Sequence, residues 1–167
     1  RGYGHCPTLE MLGRSRIIGI DALRAAAARR GRVAAVSGYK FVVADDHPLF
    51  RGALREALAG TGEGGTVLEA GDFDSVKSLV AANDDADLVL LDLTMPGASG
   101  LSGLVALRGL HSSMPMIVVS ARDDPETIRR ALELGASGFI PKSASMEEIR
   151  AAVLSVLSRS EEHTSEL

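Results

Sequence analysis

Val89-Leu90-Leu91-Asp92-Leu93-Thr94-Met95-Pro96-Gly97 is the stretch on which the fold turns. With Leu88 in front of it, the apolar run is four residues long, ends on an aspartate and meets a Pro-Gly break. Such a run reads as a strand buried on both faces that stops at a loop. In an open α/β sheet, chemistry gathers where strands end at their carboxyl edge. Asp92 stands at such an end and is the candidate reactive group.

Other strand ends carry chemistry of the same kind. Phe41-Val42-Val43-Ala44 runs into Asp45-Asp46-His47-Pro48, two adjacent carboxylates at the mouth of the first strand. Met116-Ile117-Val118-Val119 runs into the hydroxyl of Ser120, and Gly138-Phe139-Ile140-Pro141 delivers Lys142. Three acids, a hydroxyl and an ammonium at separate strand ends form a pattern that random placement would seldom produce.

Between the strands the apolar period changes to three-to-four. Pro48 opens a helix with Asp46 or His47 as its cap, and Leu49, Phe50, Ala53, Leu54, Ala57 and Leu58 predict one apolar face. A second helix over 72–82 turns Phe73, Val76, Leu79 and Val80 inward. A third, from about Gly100 to Leu110, uses Leu101, Leu104, Val105 and Leu107. Asp124-Pro125 starts a fourth that ends at Gly135. Ser145-Met146-Glu147-Glu148 has the form of a capping box at the head of a fifth, with Met146, Ile149, Val153, Val156 and Leu157 as its apolar positions. Five strands alternating with five helices imply a parallel sheet covered on both faces. Right-handed crossovers restrict the topology, and the flavodoxin-like order 2-1-3-4-5 sets the first and third strands side by side at the switch point. Asp45, Asp46 and Asp92 then share one crevice.

Composition bounds the function. A chain of 167 residues with 46% hydrophobic residues can fill one ordinary core, and without tryptophan that core rests on Val, Leu, Ile and Ala. The net charge of −4 argues against binding nucleic acid unaided. The single cysteine, Cys6, excludes an internal disulfide framework and fits a reducing cytoplasm. No apolar run approaches the ~20 residues of a membrane span, and no signal peptide is evident. His5, His111 and Cys6 have no partners at ligand spacing, and His47 reads as a capping or rim residue.

The two ends differ from the middle. Residues 1–35 hold seven arginines against Glu10 and Asp21, whereas 36–158 hold ten basic against seventeen acidic residues. Residues 1–37 are expected to be an extension outside the domain. A basic arm and a disordered extension compete here with read-through upstream of a GTG start near Val36, and the last is favoured. Residues 38–158 form the domain. Arg159 to Leu167 matches, in all nine residues, the translation of a common sequencing adapter and is read as an artefactual tail, with the native chain continuing past Ser158.

Residues from about Lys40 to Leu157 resemble a response-regulator receiver domain, the CheY-like form of this fold. The resemblance rests on Asp45-Asp46, Leu91-Asp92 with Met95-Pro96-Gly97, Ser120-Ala121 and Lys142. Asp46-His47-Pro48-Leu49-Phe50-Arg51 and Gly138-Phe139-Ile140-Pro141-Lys142-Ser143 look further like the NarL/LuxR-type branch, in which a receiver precedes a helix-turn-helix DNA-binding domain. The resemblance implies magnesium bound by Asp46, Asp92 and the Thr94 main-chain carbonyl, with Asp45 acting through water. An oxygen-only ligand set also suits magnesium better than zinc. It implies that Asp92 takes a phosphoryl group from a sensor histidine kinase, assisted by Lys142 and Ser120. Ser120 and Phe139 would act as the switch, and the fourth helix, fifth strand and fifth helix as the homodimer face. One departure is that Pro141 precedes Lys142 and Ser143 follows it, where many receivers place a cis-proline after the lysine. Arg122 stands where family members tune dephosphorylation.

The resemblance thus describes a cytoplasmic, phosphorylation-activated input half of a transcription regulator, not a turnover enzyme, with DNA reached only through a missing C-terminal domain and no membrane partner. A stand-alone receiver acting through protein contacts is the nearest alternative. An aspartate-nucleophile phosphatase of the haloacid-dehalogenase type would want a second acid where Thr94 stands. A flavin carrier would want a glycine- and hydroxyl-rich loop where Asp45 and Asp46 stand. No Walker-type Gly-Lys-Ser/Thr loop occurs.

Overall fold

The computed structural model describes residues 38–59, 65–151 and 153. The expected extension over 1–37, the tail over 159–167, and Val156 and Leu157 of the last helix lie outside the described residues.

Runs of Val, Leu and Ile form the strands, and polar–apolar segments with three-to-four spacing form the helices. In chain order they are β1 (Lys40–Ala44), α1 (Pro48–Ala59), β2 (Thr66–Ala70), α2 (Phe73–Ala82), β3 (Leu88–Leu91), α3 (Ser102–Leu110), β4 (Met116–Ser120), α4 (Pro125–Glu133) and β5 (Gly138–Pro141). Residues 146–151 and 153 are helical and constitute α5. All strand pairings in the main sheet are parallel, and the order is β2-β1-β3-β4-β5, the flavodoxin-like order expected.

Alternation along each strand divides the core into two layers. Val42, Val89, Leu91, Val118 and Phe139 pack against α2, α3 and α4 through Val76, Val80, Leu104, Leu107 and Ala131. Phe41, Val43, Leu90, Ile117 and Ile140 face α1 and α5 through Leu54, Leu58, Ile149 and Val153. Each such buried side chain contributes roughly 1.5–3 kcal/mol, whereas an exposed ion pair contributes about 0–1 kcal/mol. The two layers, not the surface pairs, therefore hold the sheet edge rigid.

Local signals stop the helices where the sequence indicates. Asp124 caps α4 by accepting from Thr127 N–H at 3.0 Å, Pro125 fills its first turn, and Gly135 follows its end at φ +101°. The Ser145–Glu148 capping box is reciprocal: Glu148 N–H donates to Ser145 Oγ at 3.1 Å and Ser145 N–H to Glu148 Oε2 at 2.7 Å.

Three expectations are corrected. The apolar stripe of α1 is narrower than its spacing suggested: Leu54 and Leu58 are buried one turn apart, while Leu49, at the helix start and off that line, is 92% exposed. Val105 of α3 is likewise exposed, beside the Leu104–Leu107 line. The segment after Asp92 is not a plain loop, because Thr94–Met95 pairs antiparallel with Ala98–Ser99. Pro96 and Gly97, the latter at φ +90°, make the turn between them, and Pro96 O accepts from Phe73 N–H at 2.9 Å. No cis peptide bond occurs among the described residues, Pro141-Lys142-Ser143 included.

Candidate functional site

Register brings the strand ends together. Ala44 stands opposite Leu91, so the next residues, Asp45 and Asp92, leave adjacent strands at the same level. The ladder continues one step further, with Asp92 N–H donating to Ala44 O at 2.9 Å and Asp45 N–H to Ala70 O at 3.0 Å. Both carboxylates are thereby pinned by their own backbones. Asp45 is 1% and Asp92 4% exposed.

Lys142, just past β5, reaches over β4 to both acids. Its Nζ lies 2.8 Å from Asp45 Oδ2 and 3.0 Å from Asp92 Oδ2. The Phe50 ring centroid lies 4.9 Å from the same ammonium, so its stem and head are held between an aromatic face and two anions. The Lys142 backbone is fixed separately by its N–H bond to Ser120 O at 2.9 Å. Burial alone would lower the Lys142 pKa, but the Asp45 and Asp92 partners outweigh it and hold it above its ordinary value. Burial raises the Asp92 carboxyl above its ordinary value, with Asp45 adding to the rise. The hydrogen bonds from Lys142 and Thr94 N–H oppose it without cancelling it.

The remaining candidates surround this pair. Thr94 N–H donates to Asp92 Oδ1 at 3.2 Å, which places the Thr94 main chain against the acid. Ser120 is 1% exposed, and its Oγ accepts from Arg122 N–H at 3.1 Å. Phe139 is fully buried among the core residues facing α2, α3 and α4, with its ring directed inward. Asp46 stands at the rim of a groove of about 720 Å³ that continues past Thr94 to Arg122 and Arg130.

Ligand atoms of Asp45, Asp46, His47 and Asp92 all lie within 4.8 Å of one another. Asp46 Oδ1 is buried and receives no hydrogen bond, although His47 Nδ1 approaches it to 3.0 Å. A buried carboxylate oxygen without a donor is costly, and a cation beside it would remove that cost. The donor set, rich in hard carboxylate oxygens, fits magnesium.

Three residues of the site were not identified from the sequence. His47 N–H donates to Asp45 Oδ1 at 2.8 Å, and its ring Nδ1 lies 3.1 Å from the same oxygen and 3.3 Å from Lys142 Nζ, so the ring, 63% exposed, is a rim residue that also touches the cluster. Arg51 donates from Nη1 to Asp45 O at 2.6 Å while its Nε lies 3.3 Å from Glu69 Oε1, bracing the acid pair against β2. Phe50, expected only as core, also underlies Lys142. Adjacency to Asp45-Asp46 was the available signal for His47. Nothing in spacing marks Arg51, whose contact depends on where α1 lies.

Comparison with known proteins agrees with this fold. The family profile of the response regulator receiver domain matches residues 41–154. The chain is similar to the glycerol metabolism activator of Pseudomonas putida, 43% identical over 119 residues that make up 71% of this chain and 54% of that protein. It is also similar to the transcriptional regulatory protein NarL of Mycobacterium tuberculosis, 38% identical over 69% of this chain and 53% of that protein. The chain thus spans about half the length of the curated relatives it matches. Among solved structures, the signal receiver domain of NarL from Mycobacterium tuberculosis superposes with a TM-score of 0.64 at 36% identity, covering 73% of this chain and 98% of that one. A LuxR family DNA-binding response regulator from Silicibacter pomeroyi does so with a TM-score of 0.62 at 33% identity, covering 72% and 93%.

Proposed function

The chain belongs to the response regulator receiver domain family, of NarL/LuxR type, and from that premise we propose that it accepts a phosphoryl group on Asp92 from a sensor histidine kinase. The observation that carries this reading is the meeting of Asp45, Asp92 and Lys142 within 3.0 Å contacts at one sheet edge.

In the proposed step an Asp92 carboxylate oxygen attacks phosphorus and the phosphorus–nitrogen bond to the kinase imidazole breaks. The imidazole nitrogen keeps the electron pair, and the acyl phosphate forms on Asp92. Phosphoryl transfer depends on positioning and charge stabilisation more than on covalent chemistry. Lys142 supplies fixed positive charge beside Asp92, and the backbone bonds at Asp92 and Lys142 hold the two in place before the phosphoryl group arrives. Magnesium, for which Asp45, Asp46, Asp92 and the Thr94 main-chain oxygen are the proposed ligands, would supply further positive charge. Ser120 is the hydroxyl placed to turn toward the added phosphoryl oxygens, and Phe139 the aromatic coupled to it. The face built by α4, β5 and α5 is the proposed homodimer surface.

On this reading the chain is the cytoplasmic input half of a helix-turn-helix transcription regulator, with residues 38–158 as the receiver, and turns over no exogenous phosphoester. The relatives' length beyond the matched part supports a further domain. The test is to expose the chain to a small phosphodonor with magnesium and locate the label by mass spectrometry. Label should appear on Asp92, and the Asp92→Ala chain should stay unlabelled. Equal labelling of that variant would overturn the assignment.

A further inference from the structure

The end of β1 is held from a side that the sheet does not supply. Thr66 N–H donates to Tyr39 O and Asp45 N–H to Ala70 O, two rungs of the ladder between β1 and β2. At that spacing the next donor, to Asp45 O, would be the N–H of Asp72. The chain has by then turned off at Gly71, and Asp72 caps α2. Asp45 O accepts instead from Arg51 Nη1 at 2.6 Å, a donor delivered by α1. The guanidinium is seated there on two further sides. Its Nε lies 3.3 Å from Glu69 Oε1, and Gly71 leaves it room, since a Cβ at 71 would stand 3.0 Å from Nη1. A hydrogen bond from a charged donor is roughly twice as strong as a neutral one. The Asp45 carbonyl is therefore held at least as firmly as its N–H.

What Asp45 carries is the carboxylate that holds Lys142. Its Oδ2 lies 2.8 Å from Lys142 Nζ, which lies 3.0 Å from Asp92 Oδ2. Phe50, the neighbour of Arg51 on α1, presents its ring to the same ammonium at 4.9 Å. Two consecutive residues of α1 thus bear on Lys142, Phe50 directly and Arg51 by way of Asp45. We infer that Arg51 is a positioning residue for the proposed phosphoryl transfer, keeping Lys142 beside Asp92 through the main chain of Asp45. This role presupposes Asp92 as the phosphoryl acceptor. Without Arg51, Asp45 can turn about its N–H anchor and carry the ammonium away from the nucleophile. A misplacement of about 1 Å can cost roughly a hundredfold in rate.

The test uses the full chain with its three lysines labelled with nitrogen-15. Without magnesium or phosphodonor, the Lys142 ammonium signal should persist in the parent chain, because two carboxylates shield its protons from exchange with water. In Arg51→Met it should shift or broaden away, while the signals of Lys40 and Lys77 stay in place as references. With magnesium and a small phosphodonor, well below the unfolding temperature, labelling of Asp92 should slow about tenfold or more in Arg51→Met. Arg55→Met removes the same charge and the other arginine on Glu69, and should label within about twofold of the parent. If Arg51→Met fails to fold, Arg51→Lys replaces it, having lost the fork shared between Asp45 and Glu69, and should label more slowly than Arg55→Met. An unmoved Lys142 signal, a parental labelling rate, or equal slowing in Arg55→Met would each overturn the assignment and leave Arg51 a brace for stability alone. A parent chain that takes no label on Asp92 would strike the acceptor reading instead, and the ammonium signal, which needs no phosphodonor, still decides whether Arg51 holds Lys142.

Discussion

Lys142 Nζ lies 3.0 Å from Asp92 Oδ2, an ion pair between the ends of β5 and β3 that passes over the intervening strand β4. Only the carboxyl edge of a parallel sheet puts such residues in reach. The pair is largely withdrawn from water, since the Lys142 side chain is 15% and that of Asp92 2% exposed. It also draws in Asp45, so one ammonium serves two buried anions.

Removing that ammonium leaves both anions buried and mutually repelling. Lys142→Ala should destabilise the chain by about 3 kcal/mol at neutral pH, the lower end for breaking a buried pair because the lysine keeps some contact with water. Since the Lys142 pKa is raised in the folded chain, its stabilisation is complete below its ordinary value of 10.5 and is lost as pH rises through the raised value. Urea unfolding of both chains without magnesium should therefore show a gap at pH 7 that narrows in strong alkali. No gap at pH 7 would contradict the ion-pair account.

Asp92 works in the opposite sense. Burial raises its carboxyl, so the folded chain holds this proton more tightly than the unfolded chain. Stability linked to Asp92 is greatest below the ordinary value of 3.8, declines as pH rises toward the raised value, and stays at the lower level above it. Asp92→Asn has no proton to lose and should unfold at higher urea than the parent at pH 7, with the advantage shrinking as pH falls through that window. A less stable Asp92→Asn at pH 7 would count against a carboxylate held at an energetic cost.

Gly97 carries the turn of the hairpin that begins at Thr94. At φ +90°, a side chain is strained, and a Cβ there would stand 3.2 Å from Phe73 Cβ. Gly97→Ala should cost about 2 kcal/mol of stability by the usual price of such a conformation. Because Thr94 N–H bonds Asp92, labelling of Asp92 should also slow. Thermal unfolding and the rate of phosphodonor labelling check the two parts separately.

Ser145→Ala removes one half of the capping box at the head of α5, whose Ile149 and Val153 seal the α1 side of the sheet. The expected cost is about 1 kcal/mol, read as a lowered unfolding midpoint. A wild-type midpoint would mean that tertiary packing alone places this helix.

Much of this was legible from residues in order. Four-residue apolar runs ending on polar groups identified β1, β3, β4 and β5, because a strand buried on both faces leaves no other composition open to it. Asp124-Pro125 and Ser145 with Glu148 marked helix starts, since capping needs only neighbours in the chain. The stripe of α1 reads wider in the sequence than it is, because periodicity counts apolar residues whatever share of the helix perimeter the sheet covers; Leu49 lies outside it. The Thr94–Ser99 hairpin is not legible in the sequence, because two-residue strands have no period to detect.

The sequence by itself determined the strand ends and, through their alternation with helices, a parallel sheet, and therefore that Asp45, Asp92 and Lys142 share one edge. These are local or topological facts, set by short-range sterics and by the twist of L-residue chains. Only the tertiary structure decided that His47 Nδ1 turns between the two acids, that Arg51 braces Asp45 from α1, and that Lys142 rests on Phe50. Such contacts depend on side-chain directions across elements distant in sequence, and those directions exist only once both layers of the core have packed.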